Sequence, residues 1–251
     1  MLPLPRKLSL EKRSEDKGLL ILSVQKQIKA WHKANRKMGW GIRDEEFHHM
    51  EEPPPMTEAD RREGYIGAVL CYGFGDDGTG HSDAVLSGKV AWEYAQKRWW
   101  KKTWQCEYID FNKADHIRLR PGAPPRPKGF YYAKFQAGEK LQLLTVSQAR
   151  KNFRNETGLG PEGVQFLTIT HKHFQDLMNE RKIPLMALAD YDVAPYGYND
   201  FFDAAQMFCS NDVLGLGIGN VDQNYPLFGI PTIRLGQNPK DSKKELRKGF
   251  E

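Results

Sequence analysis

Cysteine is scarce in this sequence of 251 residues. Its three cysteines, Cys71, Cys106 and Cys209, are widely spaced and include no C-x-x-C pair. An odd, scattered set argues against both a disulfide framework and a zinc knuckle. All three lie in apolar or strand-like stretches, so we expect them to be small buried hydrophobic side chains.

Long apolar runs are also missing. No run approaches the roughly 18 residues that a membrane-spanning helix needs. The amino-terminal region is basic, but its apolar run at residues 19–22 is too short for a signal peptide, and no small-residue cleavage site follows it. We therefore expect a cytoplasmic protein with no membrane span.

Familiar catalytic motifs do not occur in the chain. It has no nucleophile elbow, no H-E-x-x-H and no cysteine–histidine pair, and Gly88-Lys89 lacks the rest of a phosphate-binding loop. His171 and His173 have no third metal ligand nearby, so we expect them at the surface or at a helix cap. These absences favour a non-enzymatic protein and predict no cofactor, with a divalent cation as the one alternative.

The composition is that of an ordinary globular domain, with 39 % apolar and 27 % charged residues. The net charge of +5 is unevenly distributed. Residues 97–154 contain 14 lysines and arginines against 4 carboxylates, whereas residues 155–235 contain 4 against 10. This asymmetry predicts either separate anion-binding and cation- or polyol-binding faces, or two segments that neutralise each other across an internal contact.

The pattern of apolar residues predicts a single α+β domain over residues 18–236, with a mixed or antiparallel sheet flanked by helices. Residues 1–17 and 237–251 are polar, and we expect a flexible amino-terminal tail and a flexible basic carboxyl-terminal tail. Residues 120–129 hold four prolines and two glycines, and they are the best candidate for an internal boundary.

An amphipathic helix is predicted at residues 18–38 because apolar residues recur there every three or four positions. We expect its apolar face to pack on the body of the protein; the alternative is that this basic helix lies on a membrane or a partner. The spacing Thr57 to Asp60, and Thr145 to Gln148, predicts capping boxes at the start of two later helices. Further helices are predicted at 84–98, 145–153 and 202–209, and strands at 65–72, 105–111, 116–120, 130–135, 183–189, 213–218 and 227–235.

The glycine-rich segment 73–83 follows a predicted strand. Its first six residues match G-x-G-x-x-G, but Asp76 and Asp77 would repel the pyrophosphate of a dinucleotide. Carboxylate oxygens on a flexible backbone suit a divalent cation, so Asp76, Asp77 and Asp83 are candidate metal ligands. A turn that needs glycine and aspartate for its backbone explains the same residues without a metal.

The segment 97–104 interleaves cations and aromatic rings. Such a mixture is typical of surfaces that contact phosphates and stacked bases. The candidate nucleic-acid contacts are Trp99, Trp100, Lys101 and Lys102. The alternative is that these rings pack at the rim of the core, since no nucleic-acid-binding motif accompanies them.

Four carboxylates and five aromatic rings crowd into the segment 189–203, which follows the predicted strand 183–189. Loops of this kind at the end of a strand are common ligand-binding sites. The alternative is that one of the acids caps the predicted helix 202–209 while the rings pack the loop down. The candidate ligand-binding residues are Asp190, Tyr191, Asp192, Tyr196, Tyr198, Asp200 and Asp203.

Three functional hypotheses follow from these segments. The first is a non-enzymatic binding or interaction domain that recognises a small polar ligand, a carbohydrate or a protein through the acidic, aromatic segment 189–203. The second is a carboxylate- or metal-dependent hydrolase that uses acids of both loops. The third is a nucleic-acid binder that uses the basic, aromatic segment.

Overall fold

The computed structural model describes residues 20–48, 50, 52–74, 83–99, 102–113, 116–195 and 200–235, with only the backbone of residues 83, 84 and 99. The chain has an α+β fold with two sheets and flanking helices, which confirms the predicted fold class. Both predicted tails lie outside the described residues. None of the helices in these ranges combines the length and the apolar composition that a membrane span requires.

Helices and strands are numbered separately in chain order within the described residues. The α-helices are α1 (Val24–Met38), α2 (Asp44–His48), α3 (Glu58–Arg62), α4 (Asp83–Trp99), α5 (Val146–Asn152), α6 (Pro161–Gln165) and α7 (His173–Asn179). A 3-10 turn spans Glu139–Leu141, and a π-helical turn, Phe166–Thr170, continues α6. The strands are β1 (Tyr65–Gly73), β2 (Thr103–Gln105), β3 (Ile117–Leu119), β4 (Gly129–Gln136), β5 (Thr157–Gly158), β6 (Leu185–Val193), β7 (Asp203–Ser210), β8 (Val213–Asn220), β9 (Phe228–Gly229) and β10 (Thr232–Leu235).

The strands form two sheets. The first has the order β1-β4-β10-β5 and is antiparallel throughout. The second has the order β2-β8-β7-β6-β3, and β9 pairs with β6. The β2–β8 and β6–β9 pairs are parallel, and the other pairs of this sheet are antiparallel.

Local signals in the sequence set several helix ends. Both predicted capping boxes are present: Thr57 and Asp60 exchange hydrogen bonds at the start of α3, and Thr145 and Gln148 do so at the start of α5. Gly39 ends α1 in the left-handed conformation, at φ 69°, which costs a glycine no steric strain.

Two sequence predictions of secondary structure were wrong. The helix predicted at 202–209 is instead strand β7, Asp203–Ser210, because Ala205, Met207 and Cys209 alternate into the core between β6 and β8. Alanine, glutamine and methionine favour a helix in isolation, and strand pairing overrides that preference here. Of the strand predicted at 105–111, only the first residue lies in β2.

Most of the buried side chains form one core between the sheets and helices α1, α4 and α6. Its largest members include Trp31, Trp92 and Phe135, which are all fully buried. A smaller cluster lies where α5 packs its Val146 and Ala149 against alanines of β6 and β7. The three cysteines are free thiols; Cys71 and Cys209 are buried as predicted, whereas Cys106 is only half-buried.

Side chains cover the free edge of strand β1. The Gln27 amide accepts from the Leu70 N–H and donates to the Ala68 carbonyl, at 2.7 and 3.1 Å. The Gln165 amide accepts from the Tyr72 N–H at 3.1 Å and donates to the Tyr72 carbonyl at 2.7 Å. Both glutamines are fully buried. They satisfy backbone groups that an edge strand otherwise leaves open to another chain.

We expect the substitution Gln165→Leu to lower the free energy of unfolding by about 2–3 kcal/mol, because it leaves the partly buried N–H and carbonyl of Tyr72 without partners. Urea unfolding followed by circular dichroism measures this loss. Gln25→Leu, at an exposed position of α1, is the matched control. Equal stability of the two variants would contradict this role for Gln165.

Candidate functional site

The acids predicted in a loop lie in a strand. Strand β6 continues through Val193, so Asp190, Tyr191 and Asp192 belong to it and are 0 %, 0 % and 4 % exposed. This corrects the predicted end of the strand at residue 189. Their predicted role in ligand binding stays a prediction, but these carboxylates face protein groups and not solvent.

A bulge in β6 determines where Asp190 lies. Leu188 pairs with Ala205 of β7, whereas Asp192 already pairs with Ala204, so the residues between them leave the ladder. The Asp190 N–H donates instead to the Leu159 carbonyl at 2.9 Å. The bulge thereby brings the backbone of β6 to the chain that follows β5.

Two arginines and a threonine surround the carboxylate of Asp190. The Arg120 Nε and the Arg126 Nη2 each donate to one of its oxygens at 3.0 Å. The Thr157 hydroxyl donates to the same oxygen as Arg126. A carboxylate bound in this way is fully neutralised inside the fold.

Arg126 links the proline-rich segment 120–129 to the core. Its side chain is 2 % exposed, and its Nε donates to Glu162 Oε1 at 2.6 Å while its Nη2 lies 3.4 Å from Oε2. The Tyr131 hydroxyl and the Gly160 N–H also donate to Glu162, at 2.8 and 3.1 Å. Burial alone would lower the pKa of Arg126, but the carboxylates of Glu162 and Asp190 raise it above the ordinary value.

Asp192 meets two further arginines. The Arg150 Nη2 donates to it at 2.6 Å, and the Arg118 Nε lies 3.9 Å away. The Arg150 Nε also donates to the Ala189 carbonyl at 2.8 Å. Burial raises the pKa of Asp192 and lowers the pKa of Arg150, and the nearby Arg120 cation lowers the latter further. The guanidinium groups of Arg120 and Arg150 therefore lie close together in a partly dry environment.

Beside these contacts lies a cleft of about 470 Å³, here called the arginine cleft. Arg120, Arg150 and Arg154 contribute to its wall, together with Glu156 and apolar side chains that include Ile233. One Glu156 oxygen accepts hydrogen bonds from the Tyr65 hydroxyl at 2.9 Å and the Thr232 hydroxyl at 2.7 Å. The cleft thus combines three cations with one carboxylate that already has partners.

Arg154 differs from the other two arginines of the cleft. Its side chain is exposed, and it makes no hydrogen bond or ion pair with any residue in the described part of the chain. Arg120 and Arg150 are instead held in place by Asp190 and Asp192. The cleft therefore has two positioned guanidinium groups and one that is available to a ligand.

The remaining residues of the predicted binding segment are dispersed. Tyr191 lies in the core against α4, where a Cβ on Gly88 would come within 2.2 Å of its hydroxyl. Asp200 is exposed and has no helix to cap, and Asp203 begins β7, where burial raises the pKa of its carboxyl. Tyr196 and Tyr198 lie outside the described residues.

The other predicted sites fall largely outside the described chain. Asp76 and Asp77 are not described, and Asp83 begins α4 with its side chain undescribed. The described residues contain no group of three side chains that could hold a metal ion. The cation site therefore stays a prediction.

The predicted nucleic-acid segment is described only in part. Trp99 is the last residue of α4, Trp100 and Lys101 are not described, and Lys102 is exposed just before β2. Trp104 in β2 is 49 % exposed. The nucleic-acid hypothesis also stays a prediction.

The arginines around β6 were missed as individual site residues. The signal that pointed to them was the uneven charge along the sequence. The arginines come from the basic segment 97–154, and the carboxylates of Glu162, Asp190 and Asp192 come from the acidic segment 155–235. At this site the positive charges of the basic segment and the negative charges of the acidic segment neutralise each other, which is one of the two outcomes predicted from the uneven charge.

No protein-family model matches this chain, and searches of curated proteins and of solved structures also found no match.

Proposed function

We propose that this chain is a binding domain that holds a small anionic ligand, a carboxylate or phosphate compound, in the arginine cleft. The observation that carries this proposal is the convergence of Arg120, Arg150 and Arg154 on one cavity. Guanidinium groups present planar sets of N–H donors that match carboxylate and phosphate oxygens. This refines the small polar ligand of the first hypothesis to one with negative charge.

The two inner arginines retain donor capacity. The bonds of Arg120 go to Asp190 and to the Pro121 carbonyl, and those of Arg150 go to Asp192 and to the Ala189 carbonyl. In each case these bonds use two of the three guanidinium nitrogens. The aspartates thus orient the cations instead of contacting the ligand themselves.

Electrostatics and size also support an anion. The lowered pKa of Arg150 reflects burial and repulsion by Arg120, and the negative charge of a bound anion would offset that repulsion and favour the charged guanidinium. A volume of about 470 Å³ lies within the usual range for small-molecule sites. The apolar side chain of Ile233 on the wall suits a ligand that carries a hydrocarbon or ring portion as well as charge.

The test is to measure anion binding by the wild type and by Arg154→Gln. Inorganic phosphate, pyrophosphate and citrate are the probes, and thermal shift and isothermal titration calorimetry give the affinities. We expect at least one probe to raise the melting temperature of the wild type. We expect Arg154→Gln to weaken that binding by about tenfold or more, because one charge-assisted contact is lost.

Arg61→Gln is the matched control, since Arg61 is an exposed arginine of α3 outside the cleft. Arg154 is exposed and makes no hydrogen bond or ion pair with the described residues, so its replacement should leave the fold intact. The proposal is wrong if no probe changes the melting temperature of the wild type. It is also wrong if Arg61→Gln weakens binding as much as Arg154→Gln does.

A further inference from the structure

Helix α1 carries positive charge without any negative charge. Its 15 residues contain five lysines and arginines and no aspartate or glutamate. At about 100° per residue, these cations fall within an arc of roughly 100° on one side of the helix. The five are Lys26, Lys29, Lys33, Arg36 and Lys37, and all are exposed.

The buried side of α1 lies opposite this arc. Gln27, Trp31, Ala34 and Asn35 are buried, and their arc is centred about 160° from that of the cations. Packing against the core therefore fixes the rotation of the helix and directs the whole row of cations to solvent. Over 11 residues the row is about 16 Å long.

Two other elements add cations to the carboxyl-terminal half of this row. The Arg98 Nη1 donates to the Tyr94 hydroxyl at 3.1 Å, and the Lys37 Nζ lies 5.9 Å from the centre of the same ring. Lys172, which follows the π-helical turn, has its pKa lowered to about 8 by partial burial and by the cations of Arg98, Lys33 and Lys37. These four residues therefore lie close enough to repel one another.

Within the described part of the chain, no carboxylate neutralises the outer part of this row. Among the described residues, none of Lys29, Lys33 and Lys37 forms an ion pair with an aspartate or a glutamate. Elsewhere in the chain, by contrast, Asp60, Asp190 and Asp192 each pair with two cations. An unneutralised row of this length suits a partner with regularly repeated negative charge.

We propose that the exposed, positively charged face of α1 binds the phosphate backbone of a nucleic acid. Each strand carries one charge for about every 3.4 Å of helix axis, so several phosphates lie along the row of cations at once. A small anion would contact only one or two of these cations. This surface is distinct from the arginine cleft and shares no residue with it.

A nucleic acid fits this surface better than an anionic membrane does. A helix that lies in a membrane interface needs an apolar face directed at the lipid. The apolar face of α1 is taken up by the core, since Trp31 and Ala34 are fully buried and the Trp31 Nε1 donates to the Leu70 carbonyl. The exposed face of α1 can therefore bind a partner only through its charges, which is how proteins contact a phosphate backbone.

The test uses the full chain with fluorescently labelled DNA of about 20 nucleotides, in single-stranded and in duplex form. DNA of this length is longer than the row of cations on α1. Fluorescence anisotropy is measured over a series of salt concentrations starting near 50 mM. We expect log K to fall linearly with log salt. We expect Lys33→Gln with Lys37→Gln to weaken binding at low salt by about tenfold and to reduce the slope by about 1–2.

The control is Arg61→Gln with Lys151→Gln, which removes two exposed cations outside α1. Glutamine is a good helix former, so both double variants should keep the wild-type circular dichroism spectrum. Absence of binding at low salt, or equal weakening in both double variants, would overturn the proposal.

Co-sedimentation with phosphatidylserine vesicles, without any oligonucleotide binding, would identify a membrane surface instead. Arg154→Gln should leave oligonucleotide binding unchanged, which separates this proposal from that for the cleft.

Discussion

Replacing Arg126 with methionine is expected to lower the free energy of unfolding by about 3–5 kcal/mol. The reason is that Glu162 and Asp190 are 1 % and 0 % exposed and would be left in the protein interior without this cation. Glu162 would keep the Tyr131 hydroxyl and the Gly160 N–H, and Asp190 would keep Arg120 and Thr157. These contacts reduce the loss, but among the described residues they leave Glu162 without a cation.

Urea unfolding at neutral pH measures this loss, with Arg61→Met as the control for removing an exposed arginine. The double variant Arg126→Met with Glu162→Gln should lose less than the sum of the two single variants, because it removes both members of the buried pair. A loss below about 1 kcal/mol for Arg126→Met would contradict the structural role assigned to it, since that is the value of an exposed ion pair.

Acid is expected to destabilise the protein through His171. Its ring is fully buried and stacks on Phe166, and its Nε2 accepts a hydrogen bond from the Leu22 N–H at 3.0 Å. Burial and the nearby His173 lower the pKa of His171 to about 3, from 6.5 for an exposed histidine. The prediction that this histidine lies at the surface was wrong, because its ring is buried and holds the Leu22 N–H against the core. The alternative prediction of a position at a helix end is correct, since His171 caps the carboxyl end of the π-helical turn.

The direction of the effect follows from the two pKa values. The folded state keeps His171 neutral, whereas the unfolded chain takes up a proton below about pH 6.5. The stability due to the neutral ring is therefore fully present above pH 6.5 and is lost as the pH falls towards 3. Between about pH 7.5 and 5.5, which is above the titration of ordinary carboxylates, we expect a loss of about 1.4 kcal/mol from this residue.

Unfolding measured at a series of pH values in that window tests this expectation. In His171→Gln a neutral side chain keeps an acceptor for the Leu22 N–H, so the part of the pH dependence that is due to His171 should disappear. A dependence due to His173, whose pKa is also lowered by burial, should remain. His48→Gln, at an exposed position of α2, should keep the wild-type dependence. If His171→Gln is as sensitive to pH as the wild type, another group must take up the proton.

Much of the local structure is determined by short-range features of the sequence. The capping boxes at Thr57 and Thr145 involve residues three apart, and Gly39 ends α1 through its own backbone conformation. Strand β1 and helix α4 are long, strongly patterned segments, and both were predicted within about two residues of their ends. The unequal charge of residues 97–154 and 155–235 is likewise a property of the sequence alone.

Only the tertiary structure decided which residues of these segments meet. Asp190 lies 64 and 70 residues from the two arginines that bind it, and Gln165 lies 93 residues from the backbone groups of Tyr72 that it bonds. Strand β7 is a strand because β6 and β8 pair with it on both sides. Residue type and periodicity act over a few positions, whereas partners, burial and low local dielectric arise only when distant segments pack together. For this reason the sequence determined that acids follow the apolar start of β6, and the tertiary structure decided that they orient arginines around a cleft.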